Sequence, residues 1–400
     1  MDRYAFLPEI VKKEKTSIKR GPFGSALKKS FFVEKGYKVY EQKNAIKDDF
    51  SLGHYYINKE KFEELKGFEV KPGDIIISCS GTIGKISVAP DNIEKGIINQ
   101  ALLKISLNND VIITPYFRFW FENYVLQGEL ESIGAAIKNI VSVKELKQIP
   151  IPLPSLPEQK RIVVKLDSLF QKIDQAIGLL EKNIAHTVAL MGSVLDEEFG
   201  RLERKGIKPK AIKDFAKTKS GGTPKRSEKQ FWNGKIPWLK SGELNDSFNI
   251  NKNTEFITEI GLQKSSASLF EKGTLLMAMY GATAGRLGIL GMDACTNQAV
   301  CSIQNDKNLF DEIYLYFFLL SQRERIIRES SGGAQPNISK GYIDKLEIPL
   351  PNLETQKCLS KKFFDYQNGI NLIVGKQSQK LNHLKALKSS LLDQAFKGEL

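Results

Sequence analysis

Apolar residues in two long stretches of the chain recur at alternating steps of three and four positions. In the first stretch they run from Ile162 to Leu195, and in the second from Phe363 to Leu391. This spacing places the apolar side chains on one face of an α-helix and is typical of a coiled-coil seam. A proline-rich lead-in precedes each stretch, as suits extended chain or a first helical turn. The pattern predicts two long amphipathic helices.

The two stretches are copies of one element. A shift of 197 residues carries segment 152–199 onto segment 349–396 without a gap, so the chain is a tandem repeat. A helix of roughly 40 residues is about 60 Å long, too long for the core of one compact domain. We therefore expect the helices to pair with each other, although two separate surface helices remain the alternative. The shift aligns the seam residues Leu166 with Phe363 and Ile173 with Ile370.

The segments outside the helices predict two globular halves with the same order of elements. In the first half, β-branched runs broken by glycine and proline indicate a curved sheet. An aromatic helix from Tyr116 to Ser132 follows, and then a loop at 132–140. The second half repeats this order, including a loop at 330–334 and an Asn-Gln-Ala turn at 297–299 that matches residues 99–101.

The predicted fold class is α+β. Two α/β globular domains are related by internal pseudo-two-fold symmetry and are separated by two long antiparallel coiled-coil helices. The predicted divisions are residues 1–150, 151–200, 201–347 and 348–400.

Composition narrows the function classes. The chain has 400 residues, 41% of them hydrophobic, and a formal net charge of +13. No apolar run is long enough to cross a bilayer, the first residues lack a secretory signal, and four unpatterned cysteines suit a reducing compartment. We expect a soluble cytoplasmic protein whose partner is a polyanion. Nucleic acid is favoured over a membrane surface, because the basic residues do not line one face of an amphipathic helix.

Basic residues cluster around a glycine turn at the start of each half. In segment 11–30, seven lysines and arginines accompany a single Glu14, and seven accompany a single Glu228 in segment 217–240. Glycines allow a backbone to approach a phosphate closely, and the cations can neutralise it. A run of solvated lysines would give the same pattern. The loops differ between the halves, which suggests two readers of two different short targets.

Catalytic and metal-binding patterns are missing from the sequence. The three histidines show no metal-ligand spacing, and segment 81–86 lacks the spacing of a phosphate-binding loop. This favours a binding protein. A DNA methyltransferase or nuclease complete in one chain stays open as a rival, and so does an architectural coiled-coil protein that binds DNA without sequence preference.

Several short motifs, in the same order in both halves, carry a resemblance to a known family. They are Ser220-Gly221-Gly222-Thr223-Pro224, the segment 232–238, Gly285-Arg286, Asn297-Gln298-Ala299, the segment 335–339 and both Pro-Leu-Pro helix starts. With them, nearly the whole chain resembles the specificity subunit of type I restriction-modification enzymes. The first half departs from the pattern, because Val39-Tyr40 stands where the family has Ile-Pro-Trp and the turn is Gly21-Pro22-Phe23.

The resemblance implies two target recognition domains that each read half of a split, asymmetric sequence in double-stranded DNA. It also implies that this chain has no catalytic residue, metal or cofactor of its own. Two modification subunits would methylate adenine with S-adenosylmethionine, and restriction subunits, where present, would use ATP and Mg²⁺.

The candidate site residues are hypotheses drawn from the basic glycine loops and the helix seam. Expected phosphate contacts are Lys28, Lys29, Lys85, Lys219, Lys225, Lys240 and Arg286, with the glycines Gly21, Gly221 and Gly222. Expected base readers are Arg20, Ser25, Thr223, Arg226 and Asn337. Expected partner-binding residues on the helices are Leu166, Ile173, Phe363 and Ile370.

Overall fold

The two predicted long helices are continuous in the computed structural model, which describes residues 3–128, 143–330 and 337–400. The first helix spans Leu156–Arg204 and the second Leu353–Lys397. Contacts divide the chain into two compact units: unit 1 comprises residues 1–181 and 379–400, and unit 2 comprises 182–378. Each unit therefore contains the start of one long helix and the end of the other. The predicted loop at 132–140 and segment 331–336 lie outside the described residues.

Unit 1 holds two small sheets and a two-stranded ribbon. Its strands are β1 (Tyr4–Ala5), β2 (Ile18–Arg20), β3 (Phe32–Val33), β4 (Tyr37–Tyr40), β5 (Tyr56–Ile57), β6 (Glu69–Val70), β7 (Ile75–Ser78), β8 (Ile86–Val88), β9 (Gly96–Ile98), β10 (Leu102–Ile105) and β11 (Ile151–Pro152). Its helices are α1 (Leu7–Ile10), α2 (Gln42–Lys47), α3 (Lys59–Glu64), α4 (Thr114–Leu126), α5 (Val143–Leu146) and the first half of α6 (Leu156–Arg204).

The first sheet of unit 1 is antiparallel, with strand order β2-β10-β7-β8. The second has the order β3-β5-β4-β9-β6, in which β4 and β9 run parallel. The four residues of β7 and of β10 are all buried, because the sheet is covered on both faces. The aromatic residues Phe117, Trp120 and Phe121 of α4 are buried against it.

Unit 2 has the same plan. Its strands are β12 (Pro209–Ala211), β13 (Lys217–Ser220), β14 (Trp232–Leu239), β15 (Ser247–Ile250), β16 (Glu255–Ile257), β17 (Leu269–Phe270), β18 (Leu275–Ala278), β19 (Leu287–Leu290), β20 (Ala294–Thr296), β21 (Val300–Gln304) and β22 (Glu347–Pro349). Its helices are α7 (Ile212–Phe215), α8 (Glu259–Gln263), α9 (Glu312–Ser321), α10 (Arg323–Ser330), α11 (Lys340–Lys345) and the first half of α12 (Leu353–Lys397).

Strand registers establish the internal repeat residue by residue. Ile75 faces Ile105 in unit 1, and Leu275 faces Ile303 in unit 2. The parallel pair β4 and β9 also recurs, as β14 and β20. In unit 2 the sheet orders are β13-β21-β18-β19-β15 and β16-β14-β20-β17. The predicted repeat and mixed helix-and-strand fold are confirmed, while the aromatic helix of unit 2 is divided into α9 and α10 at Gln322.

Most seam residues of the long helices lie inside their own unit. Leu166 and Ile173 join the core of unit 1 with Leu392 and Ala395 from the end of α12. Phe363 and Ile370 join the core of unit 2 in the same way. The four predicted partner-binding side chains are 0 to 7% exposed, so they offer no surface to another protein. Three outer seam positions, Val188, Tyr366 and Ile373, are instead exposed.

Within unit 1 the two helix segments run antiparallel, as predicted. The Arg161 side chain donates a hydrogen bond to the Leu400 carbonyl, while Lys388 forms an ion pair with Asp174 at 2.8 Å. Residue numbers thus rise on one helix as they fall on the other. In unit 2, Lys362 pairs with Glu198 at 2.8 Å.

A buried glutamine attaches the start of each long helix to its sheet domain. The Oε1 atom of Gln159 accepts from the Ile113 amide at 2.9 Å, and Nε2 donates to the carbonyls of Val111 and Pro154. Its repeat partner Gln356 makes the same three bonds, to Asp311, Leu309 and Pro351. Both side chains are fully buried. Three buried backbone groups at each helix start require a hydrogen-bond partner, which explains why a glutamine recurs in both proline-started helices.

Candidate nucleic-acid interface

Four chain segments meet at one edge of unit 2. They are the turn 221–223 after β13, the loop 240–243 after β14, the loop 280–286 after β18 and the turn 297–299 before β21. The amide of Gly222 donates to the Thr296 carbonyl at 2.9 Å, and the Thr283 hydroxyl contacts the Ser241 hydroxyl at 3.2 Å. We call this set of four segments the reading edge.

Unit 1 builds a reading edge from the equivalent segments. The amide of Gly21 donates to the Leu102 carbonyl at 2.9 Å, as that of Gly221 does to Val300. The Gln42 side chain donates to the Thr82 carbonyl at 3.2 Å, which joins the start of α2, directly after β4, to the loop after β7. The reading edges contain only some of the predicted site residues, namely Gly21 and Lys85 in unit 1 and Gly221, Gly222, Thr223, Lys240 and Arg286 in unit 2. Arg226 and Asn337 lie beside the edge of unit 2, through Glu255, which Arg226 shares with Lys240, and through the bridge from Asn337 to Tyr280.

The three predicted phosphate-binding glycines have a different role. A Cβ atom on Gly21 would lie 1.8 Å from the Asn99 carbonyl oxygen, and one on Gly221 would lie 2.2 Å from Thr296 Oγ1. On Gly222 it would meet the backbone of Ser266 at 2.3 Å. All three residues are buried. Their small size permits close contact within the chain, so these glycines have a packing role, and their contact with phosphate stays a prediction.

Arg226 is the best-supported base-reading candidate at the reading edge of unit 2. Its guanidinium lies 3.9 Å from the ring centroid of Trp232 and 4.9 Å from that of Trp238. Contact with an aromatic face orients a guanidinium while its edge stays available for hydrogen bonds. The side chain is 53% exposed. The aromatic contacts and an acidic neighbour hold a cation at the surface of this edge.

That acidic neighbour is Glu255, which Arg226 and Lys240 both contact. The hydrogen bond from Arg226 is the main cause of a pKa for Glu255 below its usual value, with a further contribution from Lys240. Two cations thus share one carboxylate. The cluster keeps a net positive charge.

The remaining candidates of unit 2 have varied surroundings. Lys219 and Lys225 are exposed, and Thr223 is half-buried with its hydroxyl donated to the Gln298 side chain. Half-buried Arg286 donates to Asn245 Oδ1 at 3.0 Å. Exposed Asn337 forms an antiparallel bridge with Tyr280 in the loop after β18.

In unit 1 the predicted lysines are exposed and the arginine is partly engaged. Lys28, Lys29 and Lys85 are exposed, and so is Ser25. Arg20 donates from Nε to the Gln100 carbonyl at 3.0 Å and lies 5.7 Å from the ring of Phe23. Phe23 is 65% exposed, an unusual environment for a large apolar side chain at the tip of a loop.

Sequence reasoning missed two exposed glutamines, Gln100 and Gln298, at the tips of the Asn-Gln-Ala turns. In each turn the asparagine side chain accepts from the alanine amide, at 3.0 Å for Asn99 and 3.2 Å for Asn297. The turn therefore holds the glutamine outward. The only sequence signal was that the same tripeptide occurs in both halves.

Groups of metal-binding side chains and reactive thiols were sought in the described part of the chain. Within residues 3–128, 143–330 and 337–400, no three His, Cys, Asp or Glu side chains are grouped closely enough to hold a metal ion. Burial raises the pKa of the Cys79 thiol to about 11 and those of Cys295 and Cys301 to about 12.

In the described part of the chain, no helix has the length and apolar character required to cross a membrane.

The family assignment rests on the whole of both halves. The sequence model of the type I restriction modification DNA specificity domain matches residues 24–182 and again residues 204–383. The chain belongs to this family and carries two copies of its domain. It is a non-catalytic specificity protein of the type I restriction-modification class, as the sequence resemblance predicted.

Curated relatives are similar over much of their length. The type I restriction enzyme MjaVIII specificity subunit of Methanocaldococcus jannaschii is 23% identical over 89% of this chain and 85% of that protein. The type I restriction enzyme EcoR124I/EcoR124II specificity subunit of Escherichia coli is 22% identical over 63% of this chain and 63% of that protein.

Solved structures share the fold. One chain, from a study described as "Structural basis underlying complex assembly and conformational transition of the type I R-M system", aligns with a TM-score of 0.79 and 18% identity over 100% of this chain and 98% of that one. The HsdS subunit from Thermoanaerobacter tengcongensis aligns with a TM-score of 0.52 and 17% identity over 83% and 82%. Fold and repeat are thus shared at low identity.

Proposed function

We propose that each unit reads one half of a split, asymmetric sequence in double-stranded DNA through its reading edge. The observation that carries this proposal is that the two edges share one scaffold and differ in their exposed side chains. Thr223 stands where unit 1 has Phe23, and Lys240 stands where it has Glu41. Two readers with unlike side chains would select unlike half-sites.

Cations at the reading edges and in the neighbouring segments would contact phosphates. Lys28, Lys29 and Lys85 serve unit 1, while Lys219, Lys225, Lys240 and Arg286 serve unit 2. Phosphate contacts position a protein on DNA without reading bases, and they release counterions. Affinity should therefore fall steeply as salt rises. The side chains of Arg20, Ser25, Thr223, Arg226 and Asn337 are the proposed base readers.

The long helices are the proposed spacers and docking elements for two modification subunits. Each unit combines the start of one helix with the end of the other, so two similar faces are available for two copies of one partner. The seam is buried, and docking would use exposed apolar residues such as Val164 and Leu179 in unit 1 and Leu372 in unit 2. S-adenosylmethionine would bind the modification subunits, and ATP and Mg²⁺ would bind any restriction subunits.

A double substitution tests the division of labour. We expect Lys225→Ala with Arg226→Ala, assembled with the modification subunits, to change selection from a randomised duplex pool at one half-site only. Arg226 contributes base discrimination of about 1–3 kcal/mol if it reads a guanine edge, and Lys225 contributes to the salt dependence.

The matched control is Lys28→Ala with Lys29→Ala, which removes two exposed cations from the other unit. It should weaken binding and lower the salt dependence while leaving the sequence selected by unit 2 unchanged. A change in both half-sites on substitution of Lys225 and Arg226, in a protein that unfolds at the wild-type temperature, would contradict the proposal.

A further inference from the structure

Gln298 is held on a fixed turn at the reading edge of unit 2. The amide of Asn297 donates to the Leu239 carbonyl at 2.9 Å, and the Val300 amide donates to the Asn297 carbonyl at 3.2 Å. With the Asn297 side chain bonded to the Ala299 amide, the backbone on both sides of Gln298 is anchored. An exposed side chain on such a support loses little freedom on binding.

Thr223 fixes the direction of the Gln298 amide. Its hydroxyl donates to Gln298 Oε1. Thr223 itself is held in place, because the Trp238 indole donates to the Gly222 carbonyl at 2.9 Å and the Gly222 amide donates to Thr296. With Oε1 engaged on one side, both hydrogens on Nε2 and the second lone pair of Oε1 remain available to a ligand.

We infer that Gln298 reads an adenine in the half-site of unit 2, and that Thr223, proposed above as a base reader, acts instead as the residue that positions the Gln298 amide. A glutamine amide matches the major-groove edge of adenine, because Nε2 donates to N7 while Oε1 accepts from the N6 amino group. The side chain that Thr223 orients presents this donor–acceptor pair. This inference rests on the proposed DNA-reading function and assigns the selection of adenine to Gln298.

The surroundings suit a base contact more than a purely structural one. Gln298 is exposed, and Arg226, three residues after Thr223, lies over Trp232 with its charge at the surface. A guanidinium nearby can contact the phosphate or the neighbouring base pair. In a structural role, the amide would be expected to lie among buried polar groups, as those of Gln159 and Gln356 do.

The repeat supplies a matched control in Gln100. This residue has the same place on the turn of unit 1, and Phe23 occupies the position of Thr223. Phenylalanine has no hydroxyl to donate, so the Gln100 amide lacks the orienting bond that Gln298 receives. Its substitution should affect the half-site of unit 1 alone.

The test uses the full chain assembled with its modification subunits and a pool of duplexes randomised over both half-sites. Gln298→Glu replaces the Nε2 donor by an acceptor, and we expect the selected adenine to change to cytosine, whose N4 amino group donates. Preference for adenine at that position should fall about tenfold or more. Thr223→Val should relax the preference there, whereas Thr223→Ser should retain it.

The outcomes separate this inference from the proposed function. If the wild-type complex selects a split target and Gln298→Glu leaves every selected base unchanged, the adenine contact is overturned while two-unit reading stands. If the wild-type complex selects no sequence, both fail. Thermal unfolding monitors folding of each variant, and Gln298→Asn provides a second, shorter amide that should lose the adenine preference. Equal loss at both half-sites would assign Gln298 a structural role and overturn the inference.

Discussion

The reading edges of the two units differ far more than the scaffolds beneath them. Unit 2 presents Thr223 and Lys240 and packs Trp238 below them, whereas unit 1 has Phe23, Glu41 and Val39 at the equivalent places. The backbone bonds that anchor the Asn-Gln-Ala turns, the parallel pairs β4–β9 and β14–β20 and the glutamine attachments of the long helices recur in both units, while unit 2 adds β15 beside β19. A duplicated scaffold can thus keep its packing constant while its exposed residues diverge toward different targets.

Gln159 and Gln356 make equivalent attachments between a long helix and the sheet domain in the two units. We expect Gln356→Leu to lower the free energy of unfolding by about 3–5 kcal/mol, because the Asp311 amide and the carbonyls of Leu309 and Pro351 would lose their bonds while buried. Gln159→Leu should cost a similar amount. Thermal and urea unfolding of each variant measure the effect.

The exposed neighbours Lys160 and Lys357 provide the controls, since Lys160→Leu and Lys357→Leu change polarity at the same helix starts without removing a buried bond. Both should unfold like the wild type within about 0.5 kcal/mol. A large loss at Gln356 with none at Gln159 would break the equivalence of the two attachments.

Gly21 and Gly221 are a second equivalent pair, and their substitution should lower the free energy of unfolding somewhat less. Gly21→Ala and Gly221→Ala should each destabilise their own unit by about 2–3 kcal/mol, because the added Cβ would press on the neighbouring turn, on the Asn99 carbonyl in unit 1 and on Thr296 in unit 2. Limited proteolysis during unfolding identifies the unit that opens first.

Gly242→Ala is the matched control, because a Cβ there meets nothing within 4 Å. It should leave stability unchanged. If Gly221→Ala were equally harmless but weakened DNA binding, the packing role assigned to this glycine would be wrong and a phosphate contact would be supported.

Periodicity was sufficient to predict much of the fold. The long helices and their internal repeat follow from apolar spacing over many turns, which few other structures produce. The spacing alone does not show which parts of the protein the seam residues contact. Leu166 and Phe363 pack on their own sheet domain as well as on the other helix, because the sheet brings α4 or α9 against them.

The candidate site residues stay predictions, and the sequence indicated only part of their surroundings. Charge and glycine turns pointed to these loops, but the contact that requires Gly221 lies with Thr296 and Asn297, far away in sequence. Gln100 and Gln298 were not among the predicted site residues, because the Asn-Gln-Ala tripeptide indicated the repeat and the family resemblance but not which of its side chains is exposed. Only the fold shows that Thr223 lies beside Gln298.

Replacement of one globular region by a copy of the other tests the central claim most directly. Tyr4 pairs with Pro152 and Pro209 pairs with Pro349, so these residues are equivalent junctions at which segment 209–349 can be replaced by a second copy of segment 4–152 while both long helices stay in place. With the modification subunits present, selection from a randomised pool should return the half-site of unit 1 twice and the half-site of unit 2 not at all. A folded variant that still selects the half-site of unit 2, or that selects new half-sites, would contradict the account of two independent readers on one repeated scaffold.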